Sequence, residues 1–192
     1  KLQSKFIPKK MPSLFDFFCE MFYLVKFFPH SRIFNAYFGA DFTYDRVQAV
    51  GQLSGACLMV KKEVIDRIGL LDERLFLYFD EADWCKRAAD AGYKVLYIPS
   101  ASVMHHEGKS AGHARKKSID LWHDSQLYLM RKHYGVFTAV SLYFLNLAGF
   151  ALRLLMIPLY FIKDQNLLKT KKNWYALLYH LNPGHFLRIF RA

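Results

Sequence analysis

The apolar positions of this chain change period several times, and each change marks an element. Ser13 stands before a run rich in Phe, Met and Leu, so it reads as the cap of a helix reaching to about Phe28, where Pro29 ends it. Residues 30–50 keep no period and read as loop. Residues 53–60 form a short continuous apolar run and predict a buried strand, in which Gly55-Ala56-Cys57 leaves the backbone open to close approach. Residues 61–68 predict a short amphipathic helix closed by Gly69. A second helix over 80–91, closed by Gly92, follows the apolar run Phe76-Leu77-Tyr78-Phe79. Residues 93–98 and 101–105 predict short strands around Pro99, and 114–133 a charged helix.

The character then changes. Residues 136–162 are almost wholly apolar, interrupted by Asn146, Arg153 and Pro158. At about 1.5 Å per residue such a run crosses a hydrocarbon core of roughly 30 Å. Its flanks are basic: Arg131 and Lys132 before it, then Lys163, Lys169, Lys171 and Lys172 after it. Residues 173–181 place Trp174, Tyr175 and Tyr179 beside Leu177 and Leu178, a mixture suited to a membrane interface. Two domains are therefore expected, 1–134 and a membrane-associating helical segment 135–192.

Composition narrows the classes. The 192 residues are 53% hydrophobic and 17% aromatic, which excludes disorder. A net charge of +11 favours anionic partners. With neither an RNA-recognition aromatic motif, a zinc finger nor an obvious recognition helix, nucleic acid is not expected as a partner. The basic residues fit an acidic membrane surface or a phosphorylated small molecule better. Three widely spaced cysteines (Cys19, Cys57, Cys85) make neither a disulfide framework nor a zinc knot, and they fit a reducing compartment. The chain begins at Lys1, without an initiator Met or a secretory signal pattern, as a fragment would.

Two constellations carry chemistry. Asp80, Glu81 and Asp83 fall within four positions. Their architectural reading is strong, because acids in a first helical turn suit the macrodipole and Asp83 is spaced i,i+4 from Arg87. Their functional reading is that a helix N-terminus at a sheet's carboxyl edge is where α/β enzymes place reactive groups, and a carboxylate there serves as a general base. The second constellation is His105-His106, with Gly108 and Ser110 after it and Lys109 between them. Adjacent residues on a strand face opposite ways, so at most one histidine faces a site. A glycine turn with backbone donors and a cation is compatible with phosphate, though weak alone. Arg115-Lys116-Lys117 is a solvated helix face or a complement to a diphosphate.

Taken in order, Gly55-Ala56-Cys57-Leu58-Met59-Val60, Gly69-Leu70-Leu71-Asp72-Glu73, the stretch from Phe76 to Arg87, Ala91-Gly92-Tyr93 and Val103-Met104-His105-His106-Glu107-Gly108-Lys109-Ser110 resemble family 2 inverting glycosyltransferases. The branch they look most like contains the rhamnosyl- and galactofuranosyltransferases of bacterial surface polysaccharide. The resemblance covers roughly residues 45 to 135. It implies an α/β chain with a GT-A nucleotide-sugar fold, a nucleotide-diphospho-sugar donor (dTDP-rhamnose-like or a UDP-sugar), a divalent cation (magnesium or manganese) and a glycan or lipid-linked acceptor. It makes Glu81 the catalytic base. Many relatives have Glu-Asp where this chain has Asp80-Glu81, so Asp80 stays a second candidate. It makes Asp83 an acid that supports the base or meets the acceptor, and His105 a metal ligand. Gly55, Ala56, Trp84, Arg87, Gly108 and Ser110 become substrate contacts. The family's Asp-x-Asp motif is absent, and there is no room before Leu53 for the half that bears it. The chain is thus expected to be the C-terminal part of the enzyme and to transfer no sugar by itself.

The expected activity is transfer of a sugar to a glycan or lipid-linked acceptor with inversion, in cell-surface polysaccharide synthesis at the cytoplasmic face of the membrane. The alternative is a non-catalytic, membrane-associated binding or scaffold domain that keeps the fold. A metal-dependent hydrolase would need more ligands than one histidine and a few acids. With the site on the cytoplasmic side, a single span would put the distal lysines outside, against the preference of basic loops. A charge such as Arg153 in mid-span costs about 2.5–3.5 kcal/mol, and Pro158 breaks a helix. The expectation is a helical hairpin or an in-plane interfacial helix with both ends cytoplasmic.

Overall fold

The computed structural model describes residues 10–40, 42–105, 115–155 and 167–190. The chain forms two compact units, Lys1–Lys109 and Ser110–Ala192. Composition drew a boundary at 134/135 instead. The units divide earlier because the charged helix before the apolar run packs on that run.

In the first unit, α1 (Leu14–Met21) starts at Ser13 with a reciprocal capping box. The Ser13 N–H donates to Asp16 Oδ2 at 2.8 Å, while Ser13 Oγ accepts from the Asp16 N–H at 3.3 Å. Lys10 Nζ closes on the other Asp16 oxygen at 2.8 Å. The expected helix to Phe28 is broken at Tyr23, which is left-handed (φ 62°), and resumes as α2 (Leu24–Phe27). The break turns the chain so that Phe34 meets Phe28 at 5.1 Å and Phe15 at 6.4 Å, contacts a straight helix would not make.

The fold is mostly helical, and the expected strands are largely absent from the described residues. Gln48–Ala49 (β1) pairs antiparallel with Leu96–Tyr97 (β2), Gln48 opposite Tyr97 and Ala49 opposite Leu96. Phe42 and Tyr44 cover Tyr97 edge-on at 5.2 and 5.8 Å. Only two residues of 93–98 are strand, and 101–105 are exposed coil. Residues 53–60 are not a buried strand. They contain a 3-10 turn, Gly55–Cys57, which is exposed, and Met59 is exposed as well. The reason is tertiary: the backbone of this segment lies against side chains of the helix that begins at Asp80 rather than against a neighbouring strand. Nor is 76–79 a strand; it is a bend that ends in two left-handed residues, Tyr78 (φ 70°) and Phe79 (φ 64°).

Two helices frame that bend. Helix α3 (Lys62–Ile68) closes at Gly69, whose φ of +79° only glycine adopts without strain. Helix α4 (Asp80–Asp90) carries three acids in its first turn and ends just before Gly92. Phe79 packs edge-on against Phe17 at 6.3 Å, and Leu75, Ala82 and Cys85 are buried with them.

The second unit is a helical bundle of α5 (Arg115–Tyr134), α6 (Val136–Leu155), α7 (Leu167–Leu181) and α8 (Pro183–Arg188). Gly135 (φ +88°) turns α5 into α6. The inward face of α6 is Ala139, Leu142, Tyr143, Asn146, Gly149 and Phe150, spaced by three and four. Asn146, an odd residue for an apolar run, donates to Gln126 Oε1 of α5 at 2.9 Å. His123 and His180 meet in the same core with ring centroids 4.7 Å apart. Helix α6 is long and apolar enough to cross a membrane. Pro158 and the rest of the run lie outside the described residues.

Candidate active site

The site grows from the strained entry to α4. Tyr78 and Phe79 both hold left-handed backbone, which costs a non-glycine residue energy and persists only where surrounding packing enforces it. Burial of Phe79 supplies that packing. The turn delivers Asp80 and Glu81 together at the helix start.

Segment 52–55 lies along one side of α4. The Leu53 backbone lies beside Cys85, and the Gly55 backbone beside Glu81. The register has a simple origin. Two residues of extended chain advance about 6.6 Å, and one helical step of i to i+4 rises about 6 Å. Thus 53 and 55 match 85 and 81. A Cβ on Gly55 would lie 3.9 Å from Glu81 Cβ and Cδ, so the backbone comes close to the acid.

Glu81 is pushed up to about 7 from the ordinary carboxylate range. Burial is the largest cause; a side-chain hydrogen bond with Asp80 and the charge of Asp80 add to it, while its own N–H and that of Gly55 act the other way. A buried carboxyl poised near neutrality beside a second acid makes a credible proton acceptor at cellular pH.

The neighbouring residues do different work. Asp83 is fully buried and its Oδ2 accepts from Arg87 Nε at 2.8 Å. The remaining Arg87 nitrogens donate to the carbonyls of Ile68 and, at 2.8 Å, Leu70. The Trp84 indole N–H donates to Gly69 O at 2.9 Å. Asp83, Trp84 and Arg87 therefore clamp the end of α3 to α4. Gly55 sits by Glu81, and Ala56 follows it in the 3-10 turn, where the Ser54 hydroxyl accepts from the Ala56 N–H at 3.4 Å. His105 is exposed. His106, Gly108 and Ser110 lie outside the described residues.

Among the described residues, no three His, Cys, Asp or Glu side chains converge to hold a metal ion. A single histidine such as His105 does not by itself complete a metal centre.

Sequence reasoning missed two residues. Burial and then the charges of Glu20, Glu81 and Asp16 push the Tyr37 phenol up, and the Gln52 side chain lies close enough to act the other way. Gln52 is 2% exposed. A glutamine three positions before Gly55 was the available signal, but nothing local ties it to a tyrosine fifteen residues earlier.

Comparisons with known proteins give the class of the relatives. Over 87 residues the chain is 37% identical to the N-acetylglucosaminyl-diphospho-decaprenol L-rhamnosyltransferase of Mycobacterium tuberculosis, covering 45% of this chain and 28% of that protein. It is 38% identical over 47 residues to a dTDP-rhamnosyl transferase of Shigella flexneri, covering 24% of this chain and 16% of the relative. A low-salt glycan biosynthesis hexosyltransferase of Haloferax volcanii is 26% identical over 61 residues, 32% of this chain and 20% of that protein. This chain thus spans well under a third of each of these relatives. No family model and no solved structure matches it. The relatives are rhamnosyl- and hexosyltransferases, and they support a glycosyltransferase role.

Proposed function

We propose that this chain is the catalytic-base portion of a family 2, GT-A inverting glycosyltransferase. It would move a sugar from a nucleotide-diphospho-sugar to a glycan or lipid-linked acceptor of the cell envelope. The observation that carries this reading is the Glu81 carboxyl, raised to about 7 beside Asp80 and approached by the Gly55 backbone. In the reaction an acceptor hydroxyl gives its proton to Glu81. Its oxygen attacks the anomeric carbon as the bond to the diphosphate breaks on the opposite face. Positioned base catalysis of this kind contributes about 10² to 10⁴-fold. Asp80 tunes the base; Asp83 and Arg87 hold the helix that presents it.

The proposal includes a divalent cation, magnesium or manganese. His105 would lend one ligand, and the others would lie outside the described residues. His105→Ala should then raise the cation concentration that gives half-maximal activity.

The bundle is proposed to rest on the cytoplasmic membrane face. Phe137, Phe144, Leu152 and Leu155 form an outward apolar stripe on α6, with Phe137 86% exposed. Trp174, Leu178 and Leu181 form another on α7. Amphipathic helices with basic flanks bind interfaces in this manner.

The test of the base is Glu81→Gln in the natural full-length protein. Donor binding should persist while transfer falls by at least about 10²-fold. Full transfer by Glu81→Gln with loss in Asp80→Asn moves the role to Asp80. Full transfer by both variants ends the reading.

A further inference from the structure

The break at Tyr23 leaves an aromatic turn that the core of the first unit does not use. Residues 22–34 hold five aromatic side chains, Lys26, His30, Arg32 and no acid, and none of these residues is buried. Phe27 is 71% and Ile33 66% exposed, and Phe28 is exposed as well. The turn is nonetheless well built. The N–H groups of residues 26–28, 31 and 33–35 all donate within it, those of Ile33 and Phe34 to Ser31 Oγ at 3.2 and 3.1 Å. Asn35 Nδ2 closes the loop on Pro29 O at 2.6 Å, and Phe34 packs on Phe28 at 5.1 Å. A segment whose backbone donors are satisfied internally can leave water without losing those hydrogen bonds.

Cations stand among the exposed apolar side chains. Lys26 Nζ lies 4.7 Å from the Tyr23 ring centroid, and Lys26 and Arg32 are both exposed. The core of a protein–protein interface is poor in lysine. A membrane interface instead takes aromatic side chains at headgroup level with cations beside them. With no acid in the turn to oppose it, the charge is complementary to an anionic surface.

We propose that this turn is a second membrane contact: Phe27, Phe28 and Ile33 enter the headgroup boundary of an acidic phospholipid surface, and Lys26 and Arg32 meet its phosphates. The inference rests on the reading that the protein lies on a membrane face, and it adds a contact made by the unit that carries Glu81. A catalytic unit held by its own contact stays at the surface where a lipid-linked acceptor would present its hydroxyl.

The experiment places an NBD fluorophore, bright only out of water, at Ile33→Cys in the natural full-length protein, with Cys57 and any other accessible cysteine changed to Ser. Vesicles of phosphatidylcholine with phosphatidylglycerol should brighten the label severalfold, and doxyl lipid labelled near the headgroup should quench it. Phosphatidylcholine alone should do much less. Lys26→Gln with Arg32→Gln should raise the lipid concentration for half response on the order of tenfold, at unchanged helicity. A label that stays in water while the protein sediments with the same vesicles overturns this contact and leaves the bundle stripe standing. A label already shielded before lipid is added shows that the rest of the protein covers the turn, and overturns it too. So does an unaltered lipid requirement in the folded glutamine variant. Should Ile33→Cys not fold, the label at Phe27→Cys decides. A responding label in a protein that sediments undiminished with Phe137→Ser and Phe144→Ser would instead refute the bundle stripe and support this contact.

Discussion

Gly55 and Glu81 meet because a two-residue step of extended chain matches one turn of helix. A Cβ built on Gly55 would lie 3.9 Å from Glu81, and the Leu53 backbone lies beside Cys85 one turn along. Backbone rather than side chain thus approaches the acid, and the acid remains open to a further partner.

Protonation of Glu81 should appear in stability. Its folded value is about 7 against an ordinary value of 4.5, so between these pH values the folded state holds the extra proton. Stability is then lost as pH rises from about 4.5 through 7. Glu81→Gln should be near neutral at pH 4.5 and stabilising at pH 8, on the order of 1–2 kcal/mol after allowance for solvent screening. Urea denaturation of both proteins at the two pH values checks this. A gap independent of pH would contradict it.

The clamp between α3 and α4 should be costly to break. Asp83 is 0% exposed and bonded by Arg87. Arg87→Ala leaves a buried carboxylate without its cation, which costs about 3–5 kcal/mol. Arg87→Lys keeps the charge but cannot reach Asp83 and both carbonyls together, so it should lose less. Denaturation midpoints of the two variants should fall in that order.

The bundle should be sensitive to acid through His180. Burial, chiefly, pushes it down to about 4, His185 contributes in the same direction, and the bond to Ala176 O opposes both. The unfolded chain takes up a proton near 6.5 and the folded chain does not, so stability present above 6.5 is lost as pH falls toward 4. The loss is on the order of 2–3 kcal/mol. His180→Gln should flatten the acid limb of helical signal against pH. An unaltered limb would place the acid sensitivity elsewhere.

The outward stripe of α6 should govern lipid binding. Phe137 and Phe144 are exposed, whereas Leu142 and Asn146 face the bundle. Phe137→Ser with Phe144→Ser should reduce sedimentation with anionic vesicles at least tenfold without loss of helicity. Labelling of Thr170→Cys in intact cells checks topology, because reaction with an impermeant external reagent would show a full span. Undiminished vesicle binding by the double variant would remove the stripe from the interface.

Local chemistry made several parts of this protein legible in the sequence. The Ser13 cap, the Gly69 and Gly92 stops, the acidic first turn of α4 and the apolar length of α6 depend on neighbours within a turn or two, and the structure has each where the pattern puts it. The motif order pointed to glycosyltransferases, the class to which the relatives belong. Tertiary structure decided the rest. An apolar run at 53–60 resembles a strand until it is seen to lie against α4. The Asp83–Arg87 spacing fits either an exposed pair or a clamp, and only the carbonyls of Ile68 and Leu70 make it a clamp. Helix α6 is apolar all round in sequence, but Gln126 across from Asn146 gives it an inside. Tyr37 had no local mark, because the acids whose charges reach it, Glu81 among them, are distant in sequence. Contacts distant in sequence carry no period, so they become visible only when the chain is folded.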